Sequence, residues 1–273
     1  MNLIRSIVKL FKPKPPTKKH LIIPDTQVKP GQPNDHLHWA GQYAADKKPD
    51  VIVMIGDWWD MESLSSFDVG TRGYEGRRYL ADIKAGIDAM EVFLEPIRKE
   101  QERLIRNRDK RWNPRMVFTL GNHENRIARA ANADPKLDGL IGFHDLKLEE
   151  MGWEVYGFLE CCVIDNVAYQ HYFTSGIMGR PVANPTLMLN KMHMSTVQGH
   201  VQDRAISFAR RADGQRMTGI FAGIFYQHDE DYLTPHNNLS WRGIWMLHEV
   251  HDGAFDEMPV SLDYLRKKYD GDL

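Results

Sequence analysis

Apolar residues along this chain gather in two rhythms. Three short unbroken runs, in HLIIPDTQ (20–27), PDVIVMIGDWWD (49–60) and RMVFTLGNHE (115–124), are each cut off by proline or glycine. Runs of that length predict buried strands. The first ends at Pro24, the second covers 50–55 and the third stops before Gly121. Between them the spacing changes: residues 35–47 suit a helix, and 77–111 read as mostly helical, with Pro96 predicting a break or kink. Residues 125–152 read as helices and loops. From Glu154 onward strands return, in LECCVIDNVAYQHYF, TVQGHVQD, RMTGIFAGIF and WRGIWMLHEV. A βαβαβ half followed by a strand-rich half predicts a mixed α/β fold. There is no internal repeat, and the one biased tract is a proline-rich linker near the start.

In open sheets with helical crossovers, ligands collect outside the carboxyl ends of the strands. Here three successive strands end in DTQ, GDWWD and GNHE, so three polar clusters should crowd one sheet edge. A single Asp in such a loop is usually a turn residue. Several together are different, because clustered carboxylates repel unless protonated or bound to a cation. His171 in VAYQHYF, and His200 with Gln202 in QGHVQD, add further donors. Glycines precede Asp57, Asn122 and His200, allowing tight turns that aim each side chain into the site. Oxygen and imidazole ligands from five segments suit a two-cation centre with one bridging carboxylate.

At these residues the sequence resembles the calcineurin-like metallophosphoesterase superfamily, whose pattern runs DxH, GDxxD, GNH(D/E), a lone His, then GHxH. It stands here as Asp25-Thr26-Gln27, Gly56-Asp57-Trp58-Trp59-Asp60, Gly121-Asn122-His123-Glu124, His171 and Gly199-His200-Val201-Gln202. GDWWDMESLSSF and the terminal SLDYLRKKYDG are similar to phage-encoded members. The resemblance implies an αββα sandwich with mixed β-sheets over residues 20–273, preceded by an extension at 1–19. It implies two divalent metal ions sharing Asp57. One would take Asp25, Gln27, Asp57 and Gln202; the other Asp57, Asn122, His171 and His200. His171 is the ligand with no glycine framing it, and His144 and His193 are its nearest substitutes. His123 would face the leaving-group oxygen, with Asp60 holding its ring, while a metal-activated hydroxide attacks phosphorus in line. Arg126 is a phosphate clamp or, on the plainer reading, an exposed helix arginine. The family usually has histidine where Gln27 and Gln202 stand. Amide oxygen favours Mn²⁺, Mg²⁺ or Ca²⁺ over Zn²⁺ at that site, with Mn²⁺ first and Fe among the alternatives. The rival reading is a single-metal or non-catalytic scaffold.

Met61-Glu62 after GDWWD replaces the Arg-Gly of the phosphoprotein phosphatases, which points to a phosphodiester of nucleic acid or a nucleotide, with a phosphomonoester as alternative. Arg72, Arg77 and Arg78 are placed to reach substrate, whereas the basic run 98–115 should lie at the far end of the sheet as a solvated helix face. Trp58 and Trp59 read as core, and His228, His236, His248 and His251 as surface or packing residues. The 42% hydrophobic and 26% charged content of the 273 residues is that of a soluble globular protein, and a net charge of −2 gives no global footprint for nucleic acid or membrane. The two cysteines are adjacent, which points to a reducing, cytoplasmic setting (the host's, for a phage protein). Residues 1–12 are too short and too charged to span a bilayer. Their apolar face of Leu3, Ile4, Ile7, Val8, Leu10 and Phe11 suits a membrane surface, a partner or the domain itself.

Overall fold

A computed structural model of the chain describes residues 16–66, 70, 74–230 and 236–271; the amphipathic segment and Arg72 lie outside these. Among the described residues eleven strands form two sheets. Strands β1 (Lys18–Ile23), β2 (Val51–Met54), β3 (Arg115–Thr119), β4 (Glu154–Tyr156), β10 (Gly243–His251) and β11 (Ala254–Ser261) make the first, in the order β11-β10-β1-β2-β3-β4. The second is β5 (Cys162–Ile164), β6 (Val167–Gln170), β7 (Ser195–Gln198), β9 (Arg216–Ala222) and β8 (Arg204–Arg210), in that order. Strands β1 to β4 pair in parallel, and so do β6, β7 and β9.

The apolar runs are continuous because both faces of these strands are covered. Leu21, Ile23, Ile52, Met54 and Phe118 pack toward the helices α1 (Asp35–Lys47), α2 (Tyr79–Arg106) and α5 (Leu262–Tyr269). Their neighbours Ile22, Val51, Val53 and Val117 pack toward Val167, Tyr169, Val197 and Ile220 of the second sheet. The far side of that sheet carries α4 (Pro185–Met192), through Met188 against Ala168 and Phe221. Among the described residues a fifth helix, α3 (Asn125–Ala133), follows GNHE, and no helix is long and apolar enough to cross a membrane.

Pro96 does not end its helix: α2 runs unbroken for 28 residues. A proline inside a helix costs about 3 kcal/mol through a lost hydrogen bond and ring clash. Here Phe93, Leu94, Pro96 and Ile97 are all buried, and that packing offsets the cost. Strands β8 and β11 and helix α4 are elements the runs do not announce. Both strands are sheet edges, where one side is open and the apolar pattern thins; Pro259 sits within β11, as an edge strand tolerates.

Candidate metal centre

Parallel pairing puts the carboxyl ends of β1, β2 and β3 side by side, so the loops holding Asp25, Asp57 and Asn122 emerge together. β6 and β7 of the facing sheet are also parallel, and they deliver His171 and His200. The loops are stitched by backbone bonds: the Thr26 and Gln27 N–H groups donate to the Asp57 carbonyl at 3.1 and 2.9 Å. Close approach requires glycine at two points. A Cβ on Gly121 would lie 2.0 Å from Asp57 Oδ1, and one on Gly199 would lie 2.3 Å from Asp25 Oδ1.

Asp57, buried and with φ at +51°, stands at the centre. Its Oδ1 accepts the His123 N–H at 2.9 Å, and its Oδ2 lies 3.2 Å from His171 Nε2. His171 Nδ1 is 2.9 Å from the Ile55 carbonyl, which can only accept. Nδ1 therefore carries a proton, and Nε2 points into the centre. There it meets Asn122 Oδ1 at 2.9 Å, and the same oxygen lies 2.8 Å from His200 Nδ1. Polar atoms of two rings, an amide and a carboxylate thus converge. A proton or a cation between His171 Nε2 and its two oxygen neighbours satisfies that arrangement.

The titration behaviour says the same. Burial works against a charged His171, yet Asp57 and Asp25 hold its pKa up at about 9. Burial, with His171 beside it, lowers His200 to about 4. Asp57 is pushed up by burial but held well below the carboxylate range by His123 and His171. Burial lifts Asp25 to about 7, with Asp57 adding to the rise. A proton and a metal ion would compete for His171 Nε2. Asp57, His171 and His200 offer ligand atoms within 4.8 Å of one another, and Asn122 Oδ1 joins them. The donor set fits a divalent cation.

Of the remaining expected ligands, Asp25 is buried with its carboxylate accepting the His200 N–H at 3.0 and 3.1 Å. Gln27 is buried at φ +42°, and Gln202 is half-buried two residues past His200. His123 lies beside the cluster, with Nε2 3.8 Å from Asp57 Oδ2. Its Nδ1 faces the Asp60 carboxylate at 3.0 Å and the Asp60 carbonyl at 2.9 Å, so Asp60 does hold the ring. Arg126 is not an exposed helix residue: it donates to the Asp60 carbonyl at 2.8 Å and lies 3.2 Å from His123 Nε2. Trp58 and Trp59 are core, with indole N–H groups on the Gly86 and Ile83 carbonyls. Arg77 is turned onto Glu62 at 3.5 Å rather than toward the cluster. His144 is exposed beside Asp145, and His193 caps α4, so neither substitutes for His171. His228 is a packing residue, stacked on Tyr226 and bonded to Glu230 at 2.7 Å. The basic run precedes β3, at the end away from the centre, with Arg98, Arg103 and Arg115 paired to Glu91, Glu100 and Glu154.

The last residue of the GNHE motif organises both loops. Glu124 is fully buried, and its oxygens accept the N–H groups of Asp57 (3.0 Å), Gly121 (2.8 Å) and Trp59 (3.0 Å). It clamps the GDWWD loop to the GNHE loop. Its place as the fourth residue of the motif was the available signal.

Compared with protein-family models and with curated proteins, the chain matches none.

Proposed function

We propose that this chain is a divalent-metal-dependent phosphoesterase of the calcineurin-like type, with the two sheets and their flanking helices forming that family's αββα sandwich. The observation that carries the reading is the inward convergence of Asp57, Asn122, His171 and His200 from four loops at one end of both sheets. Those four would hold one ion, and Asp25, Gln27 and Gln202 would complete a second position sharing Asp57. Bound there, the cations supply Lewis acidity toward a phosphoryl oxygen and make water acidic enough to attack phosphorus near neutral pH.

The chain's own residues do the rest. His123, with its Nδ1–H on Asp60, presents Nε2 to the reaction side and gives or shares a proton with the leaving oxygen. Arg126, held on two backbone carbonyls, offers its guanidinium to the phosphoryl oxygens, while its charge 3.2 Å from that nitrogen works against protonation of the ring. Asp57 orders the centre by accepting the His123 N–H and facing His171. The substrate class that fits the missing Arg-Gly pair is a phosphodiester, in nucleic acid or a nucleotide.

Folded protein given Mn²⁺ should hydrolyse bis-p-nitrophenyl phosphate, and faster than it hydrolyses p-nitrophenyl phosphate. No turnover with Mn²⁺, Mg²⁺, Ca²⁺, Fe²⁺ or Zn²⁺ overturns the reading in favour of a metal-binding scaffold. That second reading is favoured by one feature: both glutamines fall on the same metal position, around an Asp25 whose carboxylate already accepts a backbone N–H.

A further inference from the structure

Lys29 lies four residues past Asp25 and directly after Val28, whose backbone is locked to the neighbouring loop. The Val28 N–H donates to the Trp58 carbonyl at 2.7 Å, and the Asp60 N–H donates back to the Val28 carbonyl at 2.9 Å. The Lys29 side chain is one-tenth exposed and ends among three carboxylates. Its Nζ is 2.8 and 3.0 Å from the two oxygens of Glu230, 3.4 Å from Glu62 and 3.5 Å from Asp60 Oδ2. Glu230 is itself 97% buried by side chain, at 3% exposure. So buried an ammonium, with three carboxylates around it among the described residues, is committed to the protein and not to a substrate phosphate.

We propose that Lys29 is a positioning residue that fixes Asp60 and, through it, the ring of His123; the inference rests on the phosphoesterase reading for its catalytic meaning. Asp60 divides its oxygens: Oδ2 faces Lys29, and Oδ1 faces His123 Nδ1 at 3.0 Å with Arg126 at 3.7 Å. Remove the ammonium, and Asp60, Glu62 and Glu230 are left as like charges in a poorly solvated corner. Asp60 then relieves the repulsion by rotating or taking a proton, and either change weakens the carboxylate's hold on Nδ1, leaving the Asp60 carbonyl at 2.9 Å to hold it. Glu230 anchors the ammonium and is in turn bonded to His228. The orientation of the reacting histidine is therefore set from a segment far along the chain from any motif.

The test combines kinetics with direct observation of the ring. Lys29→Met should slow bis-p-nitrophenyl phosphate turnover about 10- to 100-fold, part of what acid–base help supplies, with KM and metal content unchanged. Lys29→Arg should restore most of it. The cost should grow with a poorer leaving group, such as the unsubstituted phenyl diester. Lys29→Met combined with His123→Asn should be no slower than His123→Asn alone, since both remove one function. In metal-free protein, NMR of ¹⁵N-labelled histidine should show a protected His123 Nδ1 proton that Lys29→Met exposes to exchange. If Lys29→Met fails to fold, Lys29→Met with Glu230→Gln removes the stranded charge and takes its place. Additive kinetic losses, or an Nδ1 proton equally protected in the variant, overturn the inference while wild-type turnover stands. An inactive wild type overturns the phosphoesterase reading instead, and the NMR comparison then decides the Lys29–Asp60–His123 coupling alone.

Discussion

Three backbone N–H groups end on the two oxygens of Glu124, a residue with no exposed surface. An amide cannot copy that. In Glu124→Gln one end offers an oxygen, while the other turns an NH₂ on one or two N–H donors. The expected loss is about 2–3 kcal/mol, read as a lower urea midpoint with unchanged m, together with reduced Mn²⁺ content. A midpoint like wild type would mean that the clamp is dispensable. Two neighbours separate by role. Asp57→Asn should strip metal, because it removes the central charge facing His171. His123→Asn should keep metal and slow turnover by about 10²–10⁴-fold. Metal analysis beside steady-state rates distinguishes them, and the reverse pattern would refute the assignment. Replacing both Gln27 and Gln202 by His should tighten the weaker metal position, most for Zn²⁺, since imidazole is the better donor to late first-row ions. Calorimetric titration that shows two equally tight ions before the change, or no gain after it, would remove both glutamines from the ligand set. That Asp57, Asn122, His171 and His200 come together was legible in the sequence because each follows an apolar strand, and strand ends of one sheet gather at one edge. Glu124's clamp and the setting of Lys29 were not, because they depend on which backbone and carboxylate groups tertiary contacts bring near.

Helix α2 touches the centre indirectly, through Gly86. A Cβ there would fall 1.7 Å from Trp59 Nε1, and the Gly86 carbonyl already accepts the Trp58 indole N–H at 3.0 Å. Both indoles belong to the loop that carries Asp57, so the helix is seated directly on the site's support. Gly86→Ala should destabilise by about 1–3 kcal/mol, the usual cost of overpacking, and should also weaken metal binding. Thermal melts with and without Mn²⁺ measure both effects. A stabilised variant, as helix propensity alone predicts, would show that the indole can move away. The same balance explains which elements were readable. Strands buried on both faces betray themselves as apolar runs, as VIVM does. The edge strand β8 alternates exposed and half-buried positions, so its pattern is weak. Pro96 signalled a break by local chemistry, and contacts between helices overrode it.

Across the molecule the two sheets are joined at the end away from the metal by His20. Its Nδ1 meets the Tyr169 hydroxyl at 2.7 Å and its Nε2 meets Asp165 at 3.0 Å. Burial lowers this histidine to about 4 despite Asp165. The unfolded chain, with an ordinary histidine near 6.5, therefore binds more protons as pH falls below that value. Stability should decline from about pH 6.5 to about pH 4, by up to about 3 kcal/mol from this group. Urea titrations at several pH values should show a flatter acid limb in His20→Gln than in wild type; parallel curves would assign the acid sensitivity elsewhere. The sheet arrangement itself was partly visible beforehand. The mixed α/β class and the crowding of three loops follow from the runs, but the facing of two sheets needed the partners of each strand. That facing has a kinetic consequence. Asp25 and the His200 N–H that meets it are 175 residues apart in the chain, so closing the centre means closing a very long loop. Contacts of such separation form slowly and late. On the proposed reading a divalent ion would therefore not nucleate folding but capture a chain whose layers have already docked. During synthesis the pocket stays incompetent until His200 has left the ribosome, and in refolding experiments ion uptake should trail the burial of the tryptophans.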